Sequence, residues 1–163
     1  MTTHEYFLKA EEVEILASDI YGLLAARFAG RPDVAAEFRE LAQEEVQHGM
    51  RIRMLGGQVR SNPKLFATVE GLDAALEDVR QDAVLLRAEV QRGRWGDDLA
   101  EIRARLVGVE EHLAEVHAQY MARGADPSIR SFFERLAAQD RAHARLLGAK
   151  RAAGARAAPA PRR

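Results

Sequence analysis

Two stretches of this chain repeat one another. The first is Phe38-Arg39-Glu40-Leu41-Ala42-Gln43-Glu44-Glu45-Val46-Gln47-His48. The second is Phe133-Glu134-Arg135-Leu136-Ala137-Ala138-Gln139-Asp140-Arg141-Ala142-His143, and each position is offset by 95 from its match, as is Pro127 from Pro32. A repeat of this kind marks one supersecondary unit built twice around a shared core. The chain is rich in Ala, Leu, Glu and Arg, with 6% aromatic residues. Such a composition favours helices over strands. The expected fold is therefore all-α.

Five helices are predicted. The first runs from about His4 to Ala29, with Thr2 and Glu5 as a capping box. The second opens at Pro32-Asp33 and stops at Gly56-Gly57, before a polar connection at Arg60-Ser61-Asn62-Pro63. The third runs from about Val69 to Gln91. Gly93 and Gly96 bracket Trp95 and break the chain, and Asp97 caps a fourth helix reaching about Arg123. Asp126-Pro127 opens the fifth, which fades near Lys150. Residues 1–150 form the bundle, with a crossover at about 69–92. Residues 151–163 are expected to be a disordered basic tail of Ala, Pro and Arg.

Helices one and two form one hairpin, and helices four and five its copy. Joining them needs a link along the full bundle. A helix of roughly 23 residues spans roughly 35 Å and suffices. Val69, Leu72, Leu76, Val79, Ala83, Leu86 and Val90 give that helix one apolar stripe. The stripe either packs on the bundle's flank, the preferred reading, or also makes a dimer seam.

Core positions step by three and four along helix two: Phe38, Leu41, Glu45, His48, Ile52, Leu55. In helix five they are Ile129, Phe133, Leu136, Asp140, His143, Leu147. These are the a and d steps of a bundle core. Glu45, His48, Asp140 and His143 therefore stand in slots where apolar side chains belong. Burying an unpartnered carboxylate costs several kcal/mol, so the four need a common partner. A metal cation is the simplest one, and carboxylate with imidazole suits iron, manganese or zinc. A spacing of three residues puts both side chains of a pair on one helix face.

Helix one turns Val13, Ala17, Ile20 and Leu24 inward; helix four turns Val109, Leu113, Val116 and Tyr120, now offset by 96. In this register Glu14 matches Glu110, and Tyr21 matches His117. Glu111 competes with Glu110 but lies one residue off register. The candidate metal ligands are thus Glu14, Glu45, His48, Glu110, Asp140 and His143. Tyr21 and His117 either join them or hydrogen-bond a ligand carboxylate, the second being preferred. A glutamate from each of two helices and a Glu-x-x-His pair from each of the other two is the general ligand pattern of di-iron and di-manganese bundles, which this chain matches with Asp140 in place of one Glu.

The stretches Glu14 to Tyr21 and Glu45-Val46-Gln47-His48, followed by Glu110 to Tyr120 and Asp140-Arg141-Ala142-His143, resemble the ferritin-like superfamily. The likeness is nearest to rubrerythrin-like di-iron domains and covers roughly residues 5 to 149. It implies a ferritin-like four-helix bundle of two antiparallel hairpins joined by a long helical crossover. It further implies two iron ions bridged by Glu45 and Asp140, with Glu14 and Glu110 as terminal ligands and His48 and His143 one on each iron. Asp140 is one methylene shorter than the family's usual Glu. Leu113 stands where the family often has a further carboxylate, and the crossover is longer than the family's compact link.

Composition narrows the rest. A net charge of −1 gives no electrostatic case for nucleic acid. The absence of cysteine excludes disulfides, thiol catalysis and a rubredoxin-like electron-transfer domain, so any electron donor must be another molecule. No signal peptide or long apolar run is legible, so a soluble cytoplasmic protein with no membrane partner is expected. The implied activity is that of a non-haem di-iron oxidoreductase, a peroxidase or ferroxidase acting on H₂O₂ or O₂, in a homodimer or larger homo-oligomer. The alternative is a non-catalytic metal-binding or assembly module on the same scaffold.

Overall fold

The structure is a computed structural model that describes residues 2–66, 71–121 and 126–157, without the side chains of residues 119–121 and 153–157. It is an all-helical bundle: α1 (Thr3–Arg27), α2 (Pro32–Ser61), α3 (Asp73–Gln91), α4 (Leu99–Glu115) and α5 (Pro127–Ala157). A short 3₁₀ turn, Pro63–Leu65, follows α2, and a π-helical segment, Val116–Met121, continues α4. No described helix is long and apolar enough to cross a membrane.

Local chemistry sets most boundaries. Thr2 and Glu5 form the reciprocal capping box at the start of α1. Pro32 takes the first turn of α2. Gly93 and Gly96 adopt φ of 70° and 61°, in the left-handed region that breaks α3 from α4. Asp126 Oδ1 accepts from the Ser128 backbone N–H at the start of α5.

Several expected ends move. α2 does not stop at Gly56-Gly57 but continues to Ser61. A Cβ on Gly56 would lie 2.7 Å from Phe7 Cβ, so this glycine serves close approach of α1 and α2 rather than termination. Asp98, not Asp97, caps α4, accepting from the N–H groups of Ala100 and Glu101. Asp97 instead pairs with Arg27 at 2.9 Å. α5 outruns Lys150 and carries the first part of the expected tail as helix to Ala157, while residues 158–163 lie outside the described residues. No proline or glycine marks the π-helical segment, and nothing in its sequence announced it.

α1 packs on α2 and on α3, and α4 packs on α5. The crossover lies along α1, burying Leu72, Leu76, Val79, Ala83 and Val90; Val69 lies outside the described residues. Close backbone approaches between the two hairpins are few. Two apolar clusters fill the space between the helices. One holds Tyr6, Phe7, Ile52, Leu113 and Phe133; the other holds Ile20, Leu24, Phe38, Leu106 and Leu147. The buried pair Arg103–Glu37, at 3.2 and 2.8 Å, ties α4 to α2. Every inward position expected on α1 and α5 is buried. On α2 only Leu55, and on α4 only Val109, is half-buried, and the Tyr120 side chain lies outside the described residues.

Candidate metal centre

The six expected ligands come together at the middle of the bundle. Glu14 is held by α1, Glu45 and His48 by α2, Glu110 by α4, and Asp140 and His143 by α5. All six are buried, the four carboxylates completely. Glu111, the off-register competitor of Glu110, is exposed.

Two groups of potential metal ligands form. One is Glu14, Glu45 and His48; the other is Glu45, Glu110 and His143; within each, one ligand atom per residue lies within 4.8 Å of the others. Glu45 belongs to both. Its Oε2 is 3.1 Å from His48 Nδ1 and its Oε1 is 3.0 Å from His143 Nδ1. The two imidazoles are nearly parallel, with ring centroids 5.9 Å apart.

Asp140 behaves differently from its repeat partner. Its Oδ1 is 3.8 Å from His48 Nδ1, and its Oδ2 is 2.8 Å from His117 Nδ1. It falls in neither group. The shorter side chain and the hold of His117 explain why Glu45 and Asp140 are not an equivalent pair.

His117 and Tyr21 show how the repeat was adapted. Tyr21 on α1 donates to Glu110 Oε1 in the second hairpin. His117, its match, sits at the start of the π-helical segment and places Nε2 2.9 Å from Glu14 Oε1 in the first hairpin. Each matched residue thus reaches the other hairpin's glutamate. His117 also pairs with Asp140, a candidate ligand carboxylate that the sequence did not single out as its partner.

Glu44 makes a contact that its spacing does not announce: its side chain is 45% exposed, yet its Oε2 lies 2.5 Å from His143 Nε2. A carboxylate on the far nitrogen fixes an imidazole's tautomer and ring orientation. The repeat gives no signal for it, since Gln139 opposite Glu44 is one of several mismatched positions.

The donor set fits a metal. Glu14 Oε2, Glu110 Oε2 and Asp140 Oδ1 are buried without a hydrogen-bond partner, and His143 Nδ1 and Glu45 Oε1 lie close without the alignment of a hydrogen bond. Buried polar atoms are ordinarily satisfied, so several orphans converging on one space point to a shared missing partner. Oxygen and imidazole nitrogen suit iron, manganese or zinc.

The same groups also neutralise one another. Burial pushes the Glu110 carboxyl up to about 7, against the pull of His143. Burial opposes charge on the imidazoles, but their carboxylate neighbours outweigh it. Glu14 and Glu45 hold His48 at about 10, Asp140 and Glu14 hold His117 at about 10, and Glu110 and Glu45 hold His143 at about 11. Burial also disfavours a charged Glu14, but His117 brings its carboxyl down to about 2. Burial, then the charge of Glu110, raises the Tyr21 phenol, which stays protonated as a donor. Protons and metal cations would therefore compete for one set of atoms.

No family model, curated protein or solved structure matches this chain. The reading of the site rests on its own geometry.

Proposed function

We propose that the chain is a ferritin-like di-metal carboxylate protein, similar to the rubrerythrin-like domains, whose core holds two iron ions. The observation that supports this most is the position of Glu45, with one oxygen toward each histidine of the two repeat-related helices. Glu14 and His48 would hold one ion, Glu110 and His143 the other, with Glu45 shared and Asp140 nearest His48. When bound, a ferrous pair supplies electrons to H₂O₂ or O₂, as a peroxidase or ferroxidase centre does. Tyr21 and His117 orient the terminal glutamates from across the bundle, and Glu44 orients His143. The apolar packing of Phe38, Leu41, Ile52 and Phe133 on either side keeps bulk water away. With no cysteine in these 163 residues, they hold no cysteine-ligated electron carrier.

A second reading is favoured by one observation. His117 bridges Glu14 and Asp140, at 2.9 and 2.8 Å, and completes a network of three imidazoles and four carboxylates that is largely neutral on its own. On that reading the scaffold holds one metal ion or none and acts as a binding or assembly module.

Anaerobic titration with Fe(II) separates the two. Up to two ions should bind per chain, and exposure to oxygen should then produce a ferric near-ultraviolet absorption band. Glu45→Gln, close to isosteric, should abolish the second binding event. Leu41→Ala, one turn away, should lose about 2–5 kcal/mol of stability to its cavity while retaining metal. A folded wild-type protein that takes up no transition metal at neutral pH refutes the proposal. A single bound ion supports the second reading, in which Asp140 stays with His117 and does not complete a second site.

A further inference from the structure

The crossover helix is sealed to the bundle along one edge only. On the α1 side three ion pairs close the seam: Lys9–Glu77 at 2.5 Å, Glu12–Arg80 at 3.2 Å and Asp19–Arg87 at 2.8 Å. On the α4 side close backbone approaches are few, and among the described residues the one ion pair is Arg105–Glu89, at 3.8 Å. A cleft of about 440 Å³ remains there. Val13, Ala17 and Ile20 of α1 form its floor, with Val79 and Leu86 of α3 and Val109 of α4 in its walls. The cleft is why Val109, an inward position of α4, is only half-buried. Gly108 lies in the same wall. Nothing stands within 4 Å of where its Cβ would be, so this glycine serves no close approach and instead leaves the cleft open.

An apolar cleft of this volume with a few polar groups at its rim is the usual form of a small-ligand site. We propose that the cleft between α3 and α4 binds a small amphiphilic amine, with an aliphatic body seated on the α1 floor and a protonated nitrogen at the mouth. Two properties of the cleft select this occupant. The first is size. The wall from Val79 to Glu89 runs roughly 15 Å at ~1.5 Å per residue, which suits a slender aliphatic chain. A helix, about 10 Å across, is too thick to enter.

The second property is charge. Asp82 and Glu89 of α3 line the cleft together with Arg105 of α4, and Asp78 and Glu115 line the groove that continues it, so four acids meet one arginine. That arginine is already engaged, 3.0 Å from Glu101, 3.8 Å from Glu89 and 5.5 Å from the centre of the Trp95 ring. Among the described residues no ion pair reaches Asp78, Asp82 or Glu115. An anionic head would meet repulsion and no free arginine, whereas a protonated amine meets carboxylates that have no other cation. Ala17 and Leu113 lie one turn beyond Glu14 and Glu110, so the cleft adjoins the candidate metal centre, yet no candidate ligand lines it. Amine binding therefore requires nothing from the metal.

The test compares decylamine, decanol and decanoate, which share one chain and differ in the head group, by isothermal titration calorimetry on the full chain. Trp95 fluorescence is the second readout: this sole tryptophan donates to Glu89 Oε2 at 3.1 Å and lies under Arg105, so it adjoins the mouth. One decylamine should bind per chain with a Kd of about 10–100 µM, and decanoate should bind about 10-fold more weakly or worse. Asp82→Asn should weaken decylamine about 2–5-fold and leave decanol unchanged. Gly108→Leu fills the cleft from an exposed position where leucine is the better helix former. It should abolish binding with an unchanged far-ultraviolet circular dichroism spectrum. Met54→Gln, at an exposed apolar position outside the cleft, should change nothing. Loading with Mn²⁺ should leave the amine affinity unchanged, so a failure here says nothing against the metal centre. The proposal is overturned if decylamine binding does not saturate, if Gly108→Leu still binds, or if decanoate binds as tightly as decylamine. It is equally overturned if Mn²⁺ displaces the amine, which would place it at the buried carboxylates, or if the wild type is a dimer that Leu85→Arg dissociates, which would put a second copy over the cleft.

Discussion

The two ring nitrogens of His143 serve different partners. Nδ1 faces Glu45 and Glu110 in the core, at 3.0 and 3.4 Å, while Nε2 reaches the half-exposed Glu44. Removing that outer carboxylate leaves every candidate ligand in place but frees the ring to rotate or change tautomer. Glu44→Ala should therefore lower metal affinity by about 10–100-fold, the usual loss when a partner of a ligand histidine is removed. A competition titration with Zn²⁺ and a chromophoric chelator measures this. Unchanged affinity would mean that packing alone holds the ring. Residues such as Glu45 and Asp140 were legible in the sequence because each breaks an apolar step of three and four. Glu44 breaks no such pattern. Its role depends on which face of α5 passes over α2, and that is fixed by packing between the hairpins. The double contact of His117 was hidden for a similar reason, since it lies at the start of a π-helical segment that the sequence does not mark.

At the scale of helices, boundaries written in cap chemistry were legible and those set by packing were not. The capping box at Thr2, the proline at position 32 and the glycines flanking Trp95 are local signals, and the structure follows them. Gly56-Gly57 reads locally as a stop, but Gly56 is instead the point where α2 meets Phe7 of α1. The two glycines give opposite expectations for one substitution. Gly57→Ala meets nothing within 4 Å and should stabilise the protein by up to ~1 kcal/mol through helix propensity. Gly56→Ala gains the same propensity but forces apart two helices in contact at a Cβ, which cannot swing away. It should cost a net ~1–3 kcal/mol. Urea melts of the two variants decide this, and a stabilising Gly56→Ala would show that α1 has room to move.

For the whole molecule, the centre joins hairpins that otherwise approach closely at few backbone points, so its charge state should govern global stability. Four buried carboxylates would repel one another without a cation. The structure adds His117 to His48 and His143 and thereby compensates them. Histidines with an ordinary value of 6.5 are held at about 10, 10 and 11, so between those limits the folded metal-free protein binds more protons than the unfolded chain. Their contribution is complete below about pH 6.5 and is lost as pH rises through the folded values. Glu110, raised from 4.5 to about 7, acts in the same direction in a lower window. Glu14, lowered to about 2, acts oppositely and only in acid. The metal-free protein should therefore melt at progressively lower temperature from pH 6.5 to about 8.5. A metal cation reverses the sign, because it binds neutral imidazole and must displace those protons. Saturation at about 100 times Kd is worth ~2.7 kcal/mol, or about 5–10 °C in a chain of this size. The gain in Tm on adding Mn²⁺ should accordingly increase with pH over the same range in which the metal-free Tm declines. Differential scanning fluorimetry with and without Mn²⁺ across that range reads both slopes. Parallel curves would show that the cation binds outside the histidine cluster, and the assignment of His48 and His143 as ligands would then fail.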